Sequence, residues 1–201
     1  MLEKIYVGDL ESLVENKKVE GKQLKIGNEN FYKISNVDKM RPFFMSIVSN
    51  SNHWMFISST GSLSAGRKNS EFSLFPYYTD DKITESSDTT GSKTIITVKI
   101  NNKNFLWEPF SNRFKGAYKV SRNIYKNTIG NKVIFEEINH DLNIEFSYQW
   151  SSSNKYGFVR KSSIKNNSNN DLDINFLDGI QNILPYGVGE GLQIAQSNLV
   201  D

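Results

Sequence analysis

Apolar and polar side chains alternate along several short stretches of the chain. Lys93 to Ile100 is one such stretch, and residues 142–149 form another in which every second side chain is apolar. The apolar face of the second stretch consists of Leu142, Ile144, Phe146 and Tyr148. Because successive side chains of a strand point to opposite faces, this pattern predicts strands with one face on a core and the other in water.

Further strands are predicted wherever β-branched and aromatic residues run between turn residues. We expect strands at residues 43–49, 54–58, 72–75, 93–100, 105–107, 117–125, 132–138, 142–150 and 157–165. Asn, Ser and Gly separate them, and residues 49–52 and 101–104 predict hairpin turns. A spacing of about ten residues between turns is typical of an antiparallel β-sandwich rather than of βαβ units.

Helical signals are few. One short helical turn is expected within Leu10 to Asn16, and Leu192, Ala195 and Leu199 recur at helical spacing near the end. That second pattern is still running at Asp201 without a cap, so we expect the chain to be part of a longer protein. We therefore predict a sandwich domain over residues 1–187 and the start of a helical linker over residues 188–201.

The composition narrows the class of protein. Hydrophobic residues make up 37% and aromatic residues 12% of the 201 positions, which is enough for a packed core. The net charge is +2 with basic residues spread along the chain, so we expect no nucleic-acid partner. No apolar run approaches the roughly 18–20 residues of a membrane-spanning helix, so no membrane partner is expected. The absence of cysteine excludes disulfides and cysteine-bound metals, fits a cytoplasmic protein, and leaves no cofactor to expect.

No complete catalytic site is visible. His53 and His140 fall in predicted turns, where a histidine is more often solvated than catalytic or metal-binding. Glu136 and Glu137 are neighbours on a predicted strand and point to opposite faces, although Glu145 could meet one of them across the sheet. Glycoside hydrolysis needs two carboxyl groups about 5–10 Å apart, and solvated sheet charges are the simpler interpretation. We therefore predict no catalytic and no metal-binding residue in this chain.

Three segments carry chemistry that suits sugar or anion recognition. Tyr77 and Tyr78 precede Asp80 and Asp81. Such rings stack on a pyranose, and such carboxylates accept hydrogen bonds from its hydroxyls. The same residues are equally compatible with an ordinary loop. Residues 61–67 form a Gly/Ser-rich segment ending in Arg67, which predicts either a weak anion site or a simple turn between strands.

Trp107 is the third candidate. It lies just before Glu108-Pro109, where the strand must end, so its ring is expected to be exposed at a sheet rim.

The order of these segments resembles the early region of cellobiose-phosphorylase-like glycoside hydrolases and phosphorylases. The resemblance rests on TGSLSAGRKNSEFSLFPYYTDDKI at residues 60–83, then FLWEPF, the Tyr118-Lys119-Val120 segment, the strand with Phe135-Glu136, and YGFVRKSSIKNNSNNDLDIN at residues 156–175. It covers roughly residues 40–187. The segment DGIQNILPYG at residues 178–187 departs from the family's usual ending.

The resemblance implies an antiparallel β-supersandwich similar to galactose-mutarotase-like domains, followed by a helical linker and an (α/α)6 barrel that holds the catalytic acid. It implies that Arg67, Tyr77, Tyr78, Asp80 and Asp81 shape a sugar site without being catalysts. The implied partners are an oligosaccharide, the protein's own C-terminal barrel and a second copy in a homodimer.

Three functions stay open from the sequence. The first is a non-catalytic N-terminal domain of a glycoside phosphorylase or hydrolase, packed on the catalytic barrel. The second is a stand-alone carbohydrate-binding module that uses Trp107, Tyr77 and Tyr78. The third is a mutarotase or lyase that uses His53 or His140 with a carboxylate.

Overall fold

The computed structural model describes residues 5–7, 10–12, 17–76 and 83–195, the first two segments by their backbone. These residues form fourteen strands and one α-helix. The strands are β1 Ile5–Val7, β2 Leu10–Ser12, β3 Glu20–Ile26, β4 Glu29–Ser35, β5 Phe44–Ile47, β6 His53–Ser58, β7 Leu63–Arg67, β8 Gly91–Ile100, β9 Lys103–Trp107, β10 Val120–Asn127, β11 Lys132–Asn139, β12 Ile144–Ser153, β13 Gly157–Asn166 and β14 Asp173–Gln181. The helix, α1, spans Glu190–Ala195, and short 3₁₀ turns lie at Val37–Lys39 and Ser70–Phe72.

The strands form three larger sheets and one small hairpin, in which all described strand pairs are antiparallel. A six-stranded sheet has the order β13-β12-β11-β10-β4-β3. Two three-stranded sheets have the orders β14-β8-β9 and β5-β6-β7, and β1 pairs with β2. Ile57, Ile96 and Phe146, one from each larger sheet, are completely buried in one cluster. One face of the large sheet therefore covers both smaller sheets, which confirms the predicted all-β antiparallel sandwich with a short helix near its end.

The alternation along β12 has the predicted effect. Its inward side chains are almost completely buried and belong to the core: Ile144, Phe146, Tyr148 and Trp150, together with Leu142 just before the strand. Between them, Glu145, Ser147 and Gln149 stay partly exposed. Burial of each such large side chain stabilises the fold by roughly 1.5–3 kcal/mol, so this strand alone anchors much of the large sheet.

Phe110 closes the core from the loop after β9. Its ring packs edge-on against Tyr148, with ring centroids 5.1 Å apart, and Phe135 stacks on Tyr148 at 4.9 Å. Phe110 itself has φ +66°, a conformation that costs a residue with a Cβ roughly 1 kcal/mol or more. The aromatic packing and the hydrogen bond that its backbone N–H donates to Glu137 hold it there.

Several segments differ from the sequence-based expectation. Residues 10–12 are a strand, not the start of a helical turn. Residues 72–75 do not form the predicted strand, since Phe72 ends a 3₁₀ turn and Ser73 makes only an isolated bridge to Gly66. The Gly/Ser segment that was expected to be a loop or turn ends in β7. This strand pairs with β6 along its whole length.

Among the described residues, no helix is both long and apolar enough to cross a membrane.

Candidate functional site

A cleft opens at one end of the sandwich, where the two layers separate. His53 begins β6 and lies directly opposite Arg67, the last residue of β7. Two residues further along these strands, Met55 lies opposite Ala65, and both are buried in the core. Because side chains two residues apart share a face of a strand, His53 and Arg67 lie on the inner face of this sheet, at the rim where the core ends.

The hairpin between β12 and β13 forms the opposite wall. Phe158 lies opposite Ser152, two residues from Trp150, so it shares the inner face of the large sheet. Gly157 turns the chain with φ +74°, a conformation that glycine adopts without the steric cost of a Cβ. This turn presents Tyr156, whose side chain is 71% exposed, at the mouth of the cleft.

The cleft has a volume of about 480 Å³, which lies in the range of roughly 300–1,000 Å³ typical of small-molecule sites. Aromatic and aliphatic side chains form its floor and polar ones its rim. The lining residues are Ser51, Asn52, His53, Met55, Arg67, Leu74, Phe75, Trp150, Ser153, Asn154, Lys155, Tyr156, Gly157, Phe158, Ile180 and Ile183.

Ring contacts fix the geometry of the walls. The rings of His53 and Phe158 meet edge-to-face, with centroids 4.6 Å apart and planes at 89°. The Lys155 ammonium lies 5.1 Å from the centroid of the Tyr156 ring, within the range of a cation–π contact. The two walls therefore touch at His53 and Phe158, and Tyr156 and Lys155 form the rim of the cleft above them.

Two ring nitrogens of the cleft residues have no hydrogen-bond partner among the described residues. They are Nε2 of His53 and Nε1 of Trp150, both buried. Trp150 is only 3% exposed and its indole N–H can act only as a donor. A buried polar group without a partner costs roughly 1–3 kcal/mol.

The cleft is basic. Arg67 and Lys155 line it, and no Asp or Glu among the described residues does. Arg67 makes one long side-chain hydrogen bond with a described residue, at 3.4 Å, to Oδ1 of Asn52. Burial lowers the pKa of His53, and the positive charge of Arg67 lowers that pKa further. His53 is therefore held neutral, with Nδ1 3.3 Å from the Ser49 hydroxyl.

The structure describes only some of the site residues that the sequence predicts. Arg67 lies in the cleft, on the wall formed by β7. Tyr77, Tyr78, Asp80 and Asp81 lie outside the described residues, so their predicted role stays a prediction.

Trp107 is not the exposed rim residue that its position before Pro109 suggested. It is 2% exposed, and its indole N–H donates to Oε1 of Glu137 at 2.8 Å. The strand does end where expected, but the end of β9 is covered by the loop that follows, whose residue Phe110 also donates its N–H to Glu137 at 2.7 Å. A ring buried in this way presents no face to a sugar.

The other candidates for catalysis are also placed by the structure. Glu136 and Glu137 point to opposite faces of β11, as predicted, and Glu145 shares the face of Glu136 because it lies opposite Ile138. His140 lies in the turn expected for it, where its ring bonds the Ser121 hydroxyl at 2.8 Å. His53, in contrast, begins a strand and not a turn. No group of His, Asp or Glu in the described part of the chain could hold a metal ion.

Two further cavities lie side by side near Arg122, with volumes of about 250 and 480 Å³. Several of their charged groups already have protein partners. Arg122 donates to Glu137 at 2.6 Å and to the Ser111 carbonyl at 2.8 Å, and Glu108 accepts from Lys93 at 3.0 Å. Because these side chains are committed to the fold, the cleft at Arg67 is the better candidate for a ligand.

An aromatic row on the outer face of the small sheet is a weaker candidate. Phe56 lies 6.3 Å from Phe44 with the rings at 72°, and 6.0 Å from Trp54 with the rings at 40°. These rings do not share a plane, so they offer no flat platform on which a sugar chain could stack.

Sequence reasoning found Arg67 but missed the aromatic side of the cleft. Tyr156 and Phe158 belong to a hairpin that was predicted, yet nothing local showed that this hairpin lies beside β6. The signal that could have suggested it was the pair of Ser/Asn-rich segments at residues 49–52 and 151–154, each next to a strand rich in aromatic residues.

No protein-family model and no curated protein matches this chain.

Proposed function

We propose that this chain is a non-catalytic, sugar-binding β-sandwich domain of a carbohydrate-active protein of the glycoside phosphorylase or hydrolase type. The observation that carries the proposal is the cleft between His53, Arg67 and the hairpin at Tyr156. It combines apolar rings with hydrogen-bonding groups at its rim, and a saccharide has the same combination of C–H faces and hydroxyl groups.

The exposed Tyr156 ring supports a sugar ligand. A tyrosine joins a flat apolar ring to a polar hydroxyl, and 71% exposure leaves both available. The side-chain amides of Asn52 and Asn154 lie on the same rim and can both donate and accept hydrogen bonds. A hydroxyl-rich ring lying on Tyr156 would find partners on both sides.

The set of titratable groups supports a binding role rather than catalysis. A glycosidase needs an acid and a second carboxylate on either side of the scissile bond. Within the described part of the chain, the cleft residues include His53, Arg67 and Lys155 but no carboxylate. Catalysis would therefore belong to another part of the protein, as the family resemblance implies.

The proposed contact with a catalytic barrel is supported by apolar side chains near the end of the chain. Phe176 and Leu177 in β14 are 62% and 71% exposed, and Ile194 in α1 is also exposed. Water is a poor environment for such side chains, and a neighbouring domain that covers them would stabilise both parts.

The first experiment measures sugar binding by the chain itself. The purified chain is screened on a glycan array, and hits are measured by calorimetry for the parent, Tyr156→Ala and a matched control, Tyr186→Ala, which is also exposed but does not line the cleft. We expect Tyr156→Ala to weaken binding at least about tenfold, a loss of roughly 1.4 kcal/mol, and Tyr186→Ala to leave it unchanged.

The result decides between the outcomes. Silence across a broad array, with the fold verified by circular dichroism, contradicts a sugar-binding domain. Binding that is equally strong in both variants places the sugar elsewhere on the chain. Strong binding by the chain alone favours the stand-alone module, whereas weak binding that improves at least tenfold in the longer protein favours the site-shaping domain.

A further inference from the structure

We infer that the cleft selects a saccharide that carries a negative charge, either a carboxylate or a phosphate, over a neutral sugar. This inference rests on the proposed sugar-binding function. It concerns the chemical class of the ligand, which the sandwich fold does not specify.

The first argument is the charge of the cleft. Arg67 and Lys155 line it, neither has a carboxylate partner among the described residues, and no described Asp or Glu lines it. Two cations in one cleft without a described acid beside them create a positive field that attracts an anion.

The second argument is the balance of donors and acceptors. The Arg67 guanidinium and the Lys155 ammonium can only donate hydrogen bonds. Carboxylate and phosphate oxygens only accept, and hydrogen bonds between charged partners are about twice as strong as neutral ones.

The third argument concerns the position of His53. Its ring lies opposite Arg67 and its Nε2 atom has no partner among the described residues. Among the described residues, the charged groups that line the cleft with it are Arg67 and Lys155, and the positive charge of Arg67 favours the neutral imidazole. An anion placed beside Arg67 would offset that repulsion, so binding is expected to be coupled to uptake of a proton by His53.

The test compares four ligands by calorimetry at low and moderate salt: glucose, glucuronate, glucose 6-phosphate and inorganic phosphate. We expect glucuronate or glucose 6-phosphate to bind about 10 to 100 times more tightly than glucose, because hydrogen bonds between charged partners are about twice as strong as neutral ones. The advantage should shrink as salt increases, because Arg67 and Lys155 are exposed. The preferred anion identifies the carboxylate or the phosphate as the recognised group.

Variants locate the effect. Arg67→Gln and Lys155→Gln each remove one positive charge from the cleft, and Lys161→Gln removes one from an exposed position on β13 outside it. The two cleft variants should lose most of the preference for the charged sugar, and the control should keep it. Equal loss in all three would mean that only the net charge of the protein matters, which overturns the inference.

The chain has only two histidines, so proton NMR can follow both. Addition of the charged sugar should raise the pKa of His53 and leave that of His140, outside the cleft, unchanged. Glucose should move neither.

Each remaining outcome is decisive. Equal affinity for glucose and the charged sugars overturns the inference and leaves the sugar-binding function standing. Inorganic phosphate that binds as tightly as glucose 6-phosphate supports an anion site but contradicts the sugar-binding function. If none of the four ligands binds, the selectivity for an anion is wrong, and the glycan array decides the function separately.

Discussion

Arg160 of β13 and Asp178 of β14 join the edges of two different sheets by a bidentate ion pair. Two guanidinium nitrogens of Arg160 donate to the two carboxylate oxygens at 2.8 and 2.7 Å, while Nε donates to the Ser92 hydroxyl at 2.9 Å. Ser162 and Thr94 also donate to Asp178. Arg160 is largely buried and lies 5.1 Å from the centroid of the Tyr148 ring. The two layers are therefore held together at this seam by side chains.

Removing one member of this pair should destabilise the domain strongly. Arg160→Met leaves the Asp178 carboxylate without its main partner, and we expect a loss of about 3–5 kcal/mol in the free energy of unfolding, measured by urea denaturation. The double variant Arg160→Met, Asp178→Leu should be more stable than the sum of the single losses predicts, because no charge is left unpaired. Additive losses would show that the two residues do not interact in solution.

The same pair should make stability depend on acidity. Burial tends to raise the pKa of Asp178, but hydrogen bonds from Arg160, Ser162 and Thr94 outweigh burial and lower that pKa to about 2. A carboxyl whose pKa is lower in the folded state stabilises the fold above its ordinary value near 3.8, and this contribution disappears as the pH falls from about 4 to about 2. Its size is on the order of 2 kcal/mol.

Melting temperatures recorded between pH 7 and pH 2 test this dependence. The parent should lose stability steeply below about pH 4. Asp178→Asn should be less stable at pH 7 and show a flatter curve below pH 4, because Asn does not titrate. Parallel curves for the two proteins would mean that other carboxyl groups cause the acid sensitivity.

Glu137 is expected to be the most sensitive acidic residue of the core. It is 1% exposed and accepts from the Trp107 indole, the Phe110 backbone and Arg122. Glu137→Ala leaves all three donors unpaired and should cost about 3–5 kcal/mol in urea denaturation. The control is Glu145→Ala, whose carboxylate lies 3.9 Å from an exposed Lys165 ammonium and should change stability by less than about 1 kcal/mol. Similar losses for both variants would contradict this account.

Gly157 should tolerate no side chain without cost. Its φ of +74° is strained for any residue with a Cβ, although no neighbouring atom would touch that Cβ. Gly157→Ala should therefore lose about 1–2 kcal/mol through backbone strain alone. Gly179→Ala provides the matched control, since Gly179 also has open space around it but no positive φ. A neutral Gly157→Ala, judged by thermal melting, would show that the hairpin adopts another turn.

The sequence predicts the strands that carry a strong pattern and misses those that do not. β8 and β12 alternate between apolar and polar residues because they cover the core. The edge strand β3, with the sequence EGKQLKI, is exposed along most of its length and has no such pattern, so only its pairing with β4 reveals it. Apolar and polar residues alternate where one face of a strand is buried, so a strand that is exposed on both faces shows no such alternation in its sequence.

The candidate site was predictable only in part. Arg67 stood out because an arginine follows a Gly/Ser-rich segment, which is a local feature. The environment of Trp107 was not predictable, because the carboxylate that receives its N–H belongs to β11, 30 residues away. The cleft likewise depends on the placement of the β12–β13 hairpin beside β6, and such long-range contacts are not encoded in any one segment.

The place of β4 in the large sheet has a consequence for biosynthesis. β4 lies between β3 and β10, and Asn36, just after β4, bonds the side chain of Asn123, which comes 87 residues later. At translation rates of roughly 5–20 residues per second, the β3–β4 hairpin waits about 4 to 17 seconds for its partner strand. The nascent hairpin therefore spends that interval with one edge unpaired. The polar and lysine-rich sequence of β3 keeps its other edge a poor template for neighbouring chains on the same polysome.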